Sequence, residues 1–415
     1  MNTPVFLQMK KAHITKRRSK KAREDRLNWR YFDFLLAITV AALVCFGLVT
    51  IANATGGVFI EEGSGIFSVL DDIDWTYTRL QAIWFGVGCV ICAITVWLDY
   101  KLFMKLSELI YWGSVALLAM VLVLGKVAGG TQGWYKITES RSFQPSEIAK
   151  LALIITLAKQ LARYPKGITR WFDLLKVLIR VGIPLVLILL QPDLGTALVY
   201  VFITVIMLFV SGIRPLLMGT LVAGGIGAVI PVWKYVLTSK QKERLLVFLD
   251  ETNIDPLGAG YNVRKSKMAV GSGQMTGKGL FSPGAMSQLE YIPAQHTDFI
   301  FAVAAETFGF VGATAIIALF ALMIFRMIHL ARCTKDRFGS LMVIGVMAMM
   351  MFHIVENIGM CMGVMPVTGI PLPFMSYGGS AMLTNMIAIG LCLNVGLRRK
   401  VDEGIFVEED EEDEE

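Results

Sequence analysis

Residues 32–53, FDFLLAITVAALVCFGLVTIAN, hold a single charged residue, Asp33, in 22 positions. A helix of this length rises about 33 Å, which is enough to cross a hydrocarbon core of about 30 Å. The whole chain has the same character, because 55% of its 415 residues are apolar and only 17% are charged. This composition excludes an array of soluble domains and predicts a protein that crosses a membrane many times.

Ten apolar windows are long enough to span a bilayer. They are 32–53, 80–98, 108–125, 147–162, 174–190, 194–213, 215–233, 299–325, 339–360 and 381–397. Charged residues interrupt the fourth and fifth windows, so these two are the least typical of a membrane span. The pattern predicts an all-α polytopic membrane protein of about ten transmembrane helices. Its transmembrane domain covers 31–398, with a long extracytoplasmic loop, 234–298, between helices 7 and 8.

The charges outside the windows predict the orientation of the chain. An even number of spans puts both termini on one side, and the short loops on that side carry several times more Lys and Arg than the short loops opposite. Both termini are therefore expected in the cytoplasm. A basic N-tail, 1–30, and an acidic C-tail, 399–415, nearly cancel within the net charge of +6. Without a basic face, the chain is not expected to bind nucleic acid.

Ionisable residues inside or beside the spans are informative, because each is costly in a membrane unless it is paired or hydrated. Glu147 and Lys150, and likewise His353 and Glu356, have the i, i+3 spacing that places two side chains on one helix face. Such pairs could belong to a polar cavity or could simply hold helices together. Asp193 could serve a site or cap the sixth helix. Glu306 lies about two turns into the eighth window.

Asp298 stands at the membrane edge, where Gln295-His296-Thr297-Asp298 places four polar side chains in a row. A helix cap needs only one polar residue, so this crowding favours a functional site. The loop before it contributes cations that suit an anionic, lipid-linked substrate, with a pyrophosphate held by Lys or Arg while a carboxylate takes a proton. These cations are Lys240, Lys242, Arg244, Arg264, Lys265, Lys267 and Lys278.

A turn-rich segment from Gly369 to Ser380 follows the ninth window and could re-enter the membrane beside the same cavity. The four histidines are widely scattered, so a His-built metal site has little support. The sequence requires no cofactor, and it leaves open whether a divalent cation assists the departure of a pyrophosphate.

Five sequence blocks occur in an order that resembles the SEDS family of shape, elongation, division and sporulation proteins. The blocks are FQPSEIAK at 143–150, QPDLGTA at 191–197, DPLGAGY at 255–261, HTDFIFAV at 296–303 and the segment from Pro366 to Ser380. The resemblance covers essentially all of residues 30–398. Within the family, the segment at 365–373 and the block at 255–261 are more similar to the RodA elongation branch than to the FtsW division branch.

The resemblance implies a peptidoglycan glycosyltransferase that polymerises lipid II at the outer face of a bacterial plasma membrane. It also implies loss of undecaprenyl pyrophosphate with inversion, a class B penicillin-binding transpeptidase as partner, and a role in the elongation machinery. The family's essential aspartate falls on Asp298. The predicted substrate-binding residues are Glu147, Lys150, Arg244, Lys267, His296, Thr297, Ser376 and Tyr377.

Two departures and two alternatives accompany this interpretation. Gly133 stands where the family commonly has an arginine before Trp134, so a phosphate contact there is lost or moved to Lys136 or Arg141. Asn262 replaces the usual glutamine. A lipid II flippase would use a similar polar cavity, but no symmetric repeat with broken helices is visible in the sequence. A non-catalytic scaffold would not explain the costly ionisable groups.

Overall fold

The computed structural model describes residues 29–56, 74–128, 131–138, 141–250, 258–289 and 291–399. Each predicted window forms a helix. These helices are α1 (Phe34–Thr55), α2 (Thr76–Trp97), α3 (Tyr100–Leu124), α4 (Pro145–Ala162), α5 (Trp171–Leu190), α6 (Leu194–Val210), α7 (Pro215–Pro231), α10 (Ile300–Cys333), α11 (Arg337–Cys361) and α12 (Gly379–Leu397). Two further helices, α8 (Ser239–Val247) and α9 (Ala259–Ser272), lie in the predicted loop. Apart from Trp29, Arg30 and Arg399, the two charged tails lie outside the described residues.

The predicted fold, a membrane protein built of many helices, is confirmed. Seven of the described helices, α1, α2, α3, α7 with the turn that follows it, α10, α11 and α12, are long and apolar enough to cross a membrane. The shorter α6 is also apolar. The remaining two, α4 and α5, carry three charged residues each. Helix α4 can carry these charges because it lies inside the protein, where 14 of its 18 residues are buried among other helices.

Helix α10 departs from the predicted continuous span. Gly309, with φ +64°, interrupts it, so residues 300–308 form a short half-helix that precedes the long one. The amide groups freed at the break find partners in the preceding loop, where Phe310 N donates to the Gln274 carbonyl at 2.8 Å and Val311 N to Met275 at 3.1 Å. Irregular backbone at membrane depth persists only where it is satisfied in this way. The apolar run alone gave no sign of the break.

The structure also contains, among its described residues, three short strands that the apolar windows did not predict. Lys126–Ala128 (β1), Thr131–Thr138 (β2) and Arg141–Phe143 (β3) form a small antiparallel sheet in the order β1-β2-β3. The sheet joins α3 to α4, and β3 runs directly into the first turn of α4, where Pro145 is pre-organised for a helix start. This connection fixes the position of Gln144 and Glu147.

Glu306 anchors the end of the long loop rather than lining an open cavity. It is fully buried, and its Oε1 accepts from Lys278 Nζ at 2.8 Å and from Met286 N at 2.8 Å. Oε2 accepts from Ser287 N at 3.0 Å. A buried carboxylate that receives this many donors has its charge locally compensated. Lys278 is therefore a structural cation and not part of a free basic surface beside Asp298.

At Gly277 the loop approaches α10 so closely that only glycine fits. Gly277 has φ +83°, and a Cβ there would lie 2.1 Å from the Thr307 carbonyl oxygen. Gly279 has a similar φ, +89°, but open space around it. We expect Gly279→Ala to cost about 1–2 kcal/mol from left-handed strain alone. Gly277→Ala should cost a further 1–3 kcal/mol or so, because the backbones must separate. Thermal unfolding of both variants in detergent checks this, and equal losses would refute the steric argument.

Candidate active site

Asp298 lies immediately before α10, at the point where three chain segments meet. The buried side chain of Asn357, on α11, donates to the Asp298 carbonyl at 2.7 Å and to the Ile370 carbonyl at 2.8 Å. Both amide hydrogens are therefore used to hold the loop before α10 against the segment after α11. Asn357 therefore fixes the backbone of Asp298 through its carbonyl group and not through its carboxylate.

The Asp298 carboxylate faces the turn-rich segment. A methyl group on Gly369, where φ is +73°, would come within 3.4 Å of Oδ2, so a small residue keeps this approach open. The N-cap of α10 is Phe299, without a side-chain cap. The alternative role of Asp298 as a helix cap is thus not realised in the structure. Its side chain remains available for chemistry.

Burial raises the pKa of Asp298 above the ordinary value for an aspartate. The guanidinium of Arg244, together with Thr297, opposes this effect in part. Asp298 is only half-buried, so its carboxylate is desolvated yet reachable. A general base benefits from both properties, because a raised pKa increases its affinity for the proton that it accepts.

His296 and Tyr377 form an aromatic cluster with Tyr77, from the first turn of α2. The Tyr77 ring centroid lies 4.8 Å from that of His296 and 5.0 Å from that of Tyr377. Burial lowers the pKa of His296, because desolvation favours the neutral form of its imidazole. Tyr77 was not among the residues selected from the sequence, because an isolated tyrosine near a helix start carries no distinctive signal.

The segment from Gly369 to Ser380 is non-helical up to Gly378, and it packs beside Asp298 as predicted. Ser376 is buried, and its hydroxyl donates to the Thr297 carbonyl at 2.6 Å while accepting from Leu372 N at 2.8 Å. Gln81 Nε2 donates to the Ser376 carbonyl at 2.9 Å. Ser376 therefore acts on the position of Thr297 and has no free hydroxyl proton to offer a substrate in this conformation.

A small cavity of about 30 Å³ connects Arg244 with the turn between α5 and α6. Asp193 and Thr368 also line it. The carboxylate of Asp193 caps α6 by accepting from Thr196 N at 2.9 Å, which confirms the capping interpretation, and it also accepts from Gln144 Nε2 at 3.2 Å. Burial raises the pKa of Asp193. Asp193 thus combines a structural role with a place at the site.

Glu147 and Lys150 form the predicted ion pair, with Nζ 2.7 Å from Oε1. The third member is His353, whose Nε2 lies 3.0 Å from Lys150 Nζ. The pairing of His353 with Glu356 suggested by their spacing does not form, since Glu356 accepts from Thr368 Oγ1 at 2.8 Å instead. Lys150 is 1% exposed, so this buried triad lies behind the open part of the site.

The cations of the loop before Asp298 differ in their exposure and in their contacts. Arg244 is half-buried near Asp298 and Lys267 is exposed on α9. Lys265 lies over the rings of Tyr261 and Tyr291, at 5.3 and 4.8 Å from their centroids. Of the cations beside the site, Arg244 is the one whose charge acts directly on the pKa of Asp298. The basic surface beside Asp298 therefore contains fewer cations than the sequence predicted.

Gly133 occupies a buried position next to the same polar residues. A Cβ there would stand 3.5 Å from Gln191 Oε1 and 3.9 Å from Gln144 Nε2. A longer side chain at 133 would thus point toward the Gln144–Asp193 contact. The side chains of Lys136 and Arg141, the two proposed substitutes, lie outside the described part of the chain.

Arg244 should set the acidic limit of activity if Asp298 is the base. Removing its charge in Arg244→Gln takes away an interaction that lowers the pKa of Asp298, so that pKa should rise further. A base is lost as pH falls through its pKa, hence the acidic limb of the kcat/KM profile should move to higher pH. Arg244→Lys and the exposed Lys240→Gln should keep the wild-type limb. An unmoved limb in Arg244→Gln would separate Arg244 from the ionisation of the base.

The sequence of this chain is similar to those of known proteins over nearly its whole length. A family profile described as cell cycle protein (FtsW, RodA, SpoVE) matches residues 33–401. The peptidoglycan glycosyltransferase MrdB of Escherichia coli K12 is 33% identical over 391 residues, covering 94% of this chain and 99% of MrdB. Stage V sporulation protein E of Bacillus subtilis is 34% identical over 366 residues, covering 88% and 96% of the two chains.

Two solved structures share the fold. One comes from work described as structural coordination of polymerization and crosslinking by a peptidoglycan synthase complex; it is 33% identical, with a TM-score of 0.72, and covers 89% of this chain and 98% of its own. The rod shape determining protein RodA of Thermus thermophilus is 28% identical, with a TM-score of 0.65, and covers 90% and 99%. Both matches span nearly the whole of each chain.

Proposed function

The chain belongs to the FtsW, RodA and SpoVE family of cell cycle proteins, and from this we infer that it is a peptidoglycan glycosyltransferase. Its similarity to MrdB and RodA favours a role in elongation and cell shape. The observation that carries the proposal is the half-buried carboxylate of Asp298, which lies at a membrane edge beside Arg244.

The proposed substrate is lipid II. Asp298 accepts the proton of the 4-hydroxyl of the acceptor's N-acetylglucosamine as that oxygen attacks the anomeric carbon of the terminal N-acetylmuramic acid on the growing chain. The bond from that carbon to undecaprenyl pyrophosphate breaks on the opposite face, so the anomeric configuration inverts. The raised pKa of Asp298 supports its role as base, since a desolvated carboxylate gains from taking up a proton.

The departing pyrophosphate requires cations that are close to solvent. Arg244 and Lys267 meet this condition, and their charges would stabilise the negative charge that grows on the leaving group. Lys150 is buried against Glu147 and His353, which favours a positioning role for this lysine. His296 and Thr297 precede Asp298 in the chain, Tyr377 packs against His296, and these three residues are the proposed contacts for the sugars. The Ser376 hydroxyl donates to the Thr297 carbonyl and holds Thr297 in place.

The proposed location of the protein is supported by the charges of its loops, and the proposed partner by its similarity to a solved structure. The proposed location is a bacterial plasma membrane, with both termini in the cytoplasm and Asp298 at the outer face, as the Lys and Arg bias of the short loops indicates. A class B penicillin-binding protein is the proposed partner. It is supported by the match to a chain from a peptidoglycan synthase complex, in which polymerisation and crosslinking are coordinated.

A polymerisation assay separates this function from lipid transport. The purified chain is mixed with labelled lipid II in detergent, with and without the partner and with and without a chelator. Glycan strands are expected with the partner present, and the chelator arm shows whether a divalent cation assists. In a parallel arm, proteoliposomes report movement of labelled lipid II across the bilayer. Transport without any strand synthesis would favour the flippase alternative and overturn the proposal.

A further inference from the structure

A second cavity, of about 390 Å³, lies at the opposite end of the helices from Asp298. It is formed where the first halves of α3 and α5 meet the end of α4, on the side of the membrane where α1 begins. Its walls include Tyr111, Trp112 and Ile179. The proposed transferase chemistry uses none of these residues.

Cations outnumber acids in this cavity. Lys159, Arg163, Lys176 and Arg180 line it together with one carboxylate, Glu108. That carboxylate is shared, because Arg180 Nη1 lies 2.9 Å from Glu108 Oε1 and Lys159 Nζ lies 4.0 Å from the same oxygen. One negative charge, on a side chain that is 44% exposed, thus serves two cations whose side chains are only 20% and 28% exposed. An uncompensated charge between membrane helices is costly.

The mouth of the cavity adds further positive charge. Lys176 is paired with Asp173 at 3.1 Å, outside the cavity wall. Arg163, at the end of α4, is exposed and forms no ion pair among the described residues. The cavity therefore contains unmatched positive charge both at its mouth and deeper inside, so its complement is an anion.

An unused hydrogen-bonding group points to a ligand as well. Gln160 lines the cavity, and its buried Oε1 has no hydrogen-bond partner among the described residues. Buried polar atoms in folded proteins are normally satisfied. A ligand carrying hydroxyl groups beside its negative charge would supply the missing donor.

The rim of the cavity is apolar and open toward the bilayer. Trp112 and Ile179 are each 55% exposed, and they continue into the exposed apolar faces of α3 and α5 at Leu109 and Leu175. A soluble anion gains nothing from such a rim. A lipid does, because its acyl chains can lie along these faces while its headgroup enters between the helices.

We propose that this cavity is a binding site for the headgroup of an anionic phospholipid in the leaflet on the N-terminal side of the protein. The phosphate is held by Arg163, Lys159 and Arg180, and a headgroup hydroxyl donates to Gln160. Phosphatidylglycerol combines both features. Basic pockets between membrane helices are a recurrent way in which proteins bind such headgroups.

Lipid binding to the purified full-length chain tests the proposal. Native mass spectrometry would compare phosphatidylglycerol with phosphatidylcholine, and inorganic phosphate would be added as a soluble competitor. The wild type should prefer phosphatidylglycerol, and millimolar phosphate should not displace it. Lys159→Gln/Arg163→Gln should weaken phosphatidylglycerol binding roughly thirtyfold, about fivefold for each cation removed.

The matched control is Lys166→Gln/Arg170→Gln. It removes two exposed cations from the loop between α4 and α5, and neither of them lines the cavity. It should bind like the wild type. Should the double variant fold poorly, the exposed Arg163→Gln alone should still lose about fivefold. Equal binding of phosphatidylcholine, displacement by phosphate, or equal losses in the two double variants would each overturn the proposal.

Discussion

Asp298→Asn is expected to reduce lipid II polymerisation by about a hundredfold to ten-thousandfold, the usual contribution of a general base. Asparagine has nearly the same shape but cannot accept the proton. The fold should be unaffected, because Asn357 holds the Asp298 backbone and the Asp298 side chain caps no helix. Strand synthesis from labelled lipid II by the purified variant, beside its partner, measures the loss.

Two controls make the result specific. Glu243→Gln removes an exposed carboxylate next to Arg244 and should leave polymerisation at the wild-type level. Thermal unfolding of Asp298→Asn should match that of the wild type, which excludes misfolding as the cause. Normal strand synthesis by the stable Asp298→Asn protein would remove Asp298 from the reaction.

Lys150→Met is expected to cost about 3–5 kcal/mol of stability, because it leaves the buried carboxylate of Glu147 without its cation. Lys150 is 1% exposed and Glu147 is 6% exposed, so water cannot take over the lost interaction. The measurement is the free energy of unfolding in detergent. The effect comes from the charge that remains, since methionine fills most of the volume of the lysine stem.

The chain provides its own matched control. Lys176 and Asp173 form a second i, i+3 pair, 3.1 Å apart, but the lysine side chain is 66% exposed. Lys176→Met should therefore cost no more than about 1 kcal/mol. The double variant Glu147→Gln/Lys150→Met should recover much of the lost stability, because no unpaired charge stays buried. A single variant as stable as the wild type would contradict the burial argument.

Helices at all ten apolar windows could be predicted from the sequence, and length and apolar content identify seven of the described helices as able to cross a bilayer. The same reasoning missed features that depend on neighbours. Gly309 breaks α10 only because the loop carrying Gly277 supplies backbone partners there. The strands β1 to β3 are too short to produce an apolar window. Asp255, in one of the family blocks, lies outside the described residues.

At the site, the i, i+3 spacing along a helix predicted one contact correctly and another wrongly. Glu147 and Lys150 are one turn apart on α4, so their contact followed from helical geometry. The same rule gave the wrong partner for His353, whose neighbour is Lys150 on another helix. Asn357, one turn beyond His353, was detectable only as an additional polar residue in an apolar helix.

The sequence by itself determined that this protein resides in a membrane, that its charges concentrate in the tails and near Asp298, and to which family it is similar. These properties depend on composition, on local periodicity and on ordered motifs. The tertiary structure alone decided which charges are used up internally, as with Lys278 on Glu306, and which remain available, as with Arg244 near Asp298. The physical reason is that desolvation and pairing act between segments far apart in the chain, which no local pattern records.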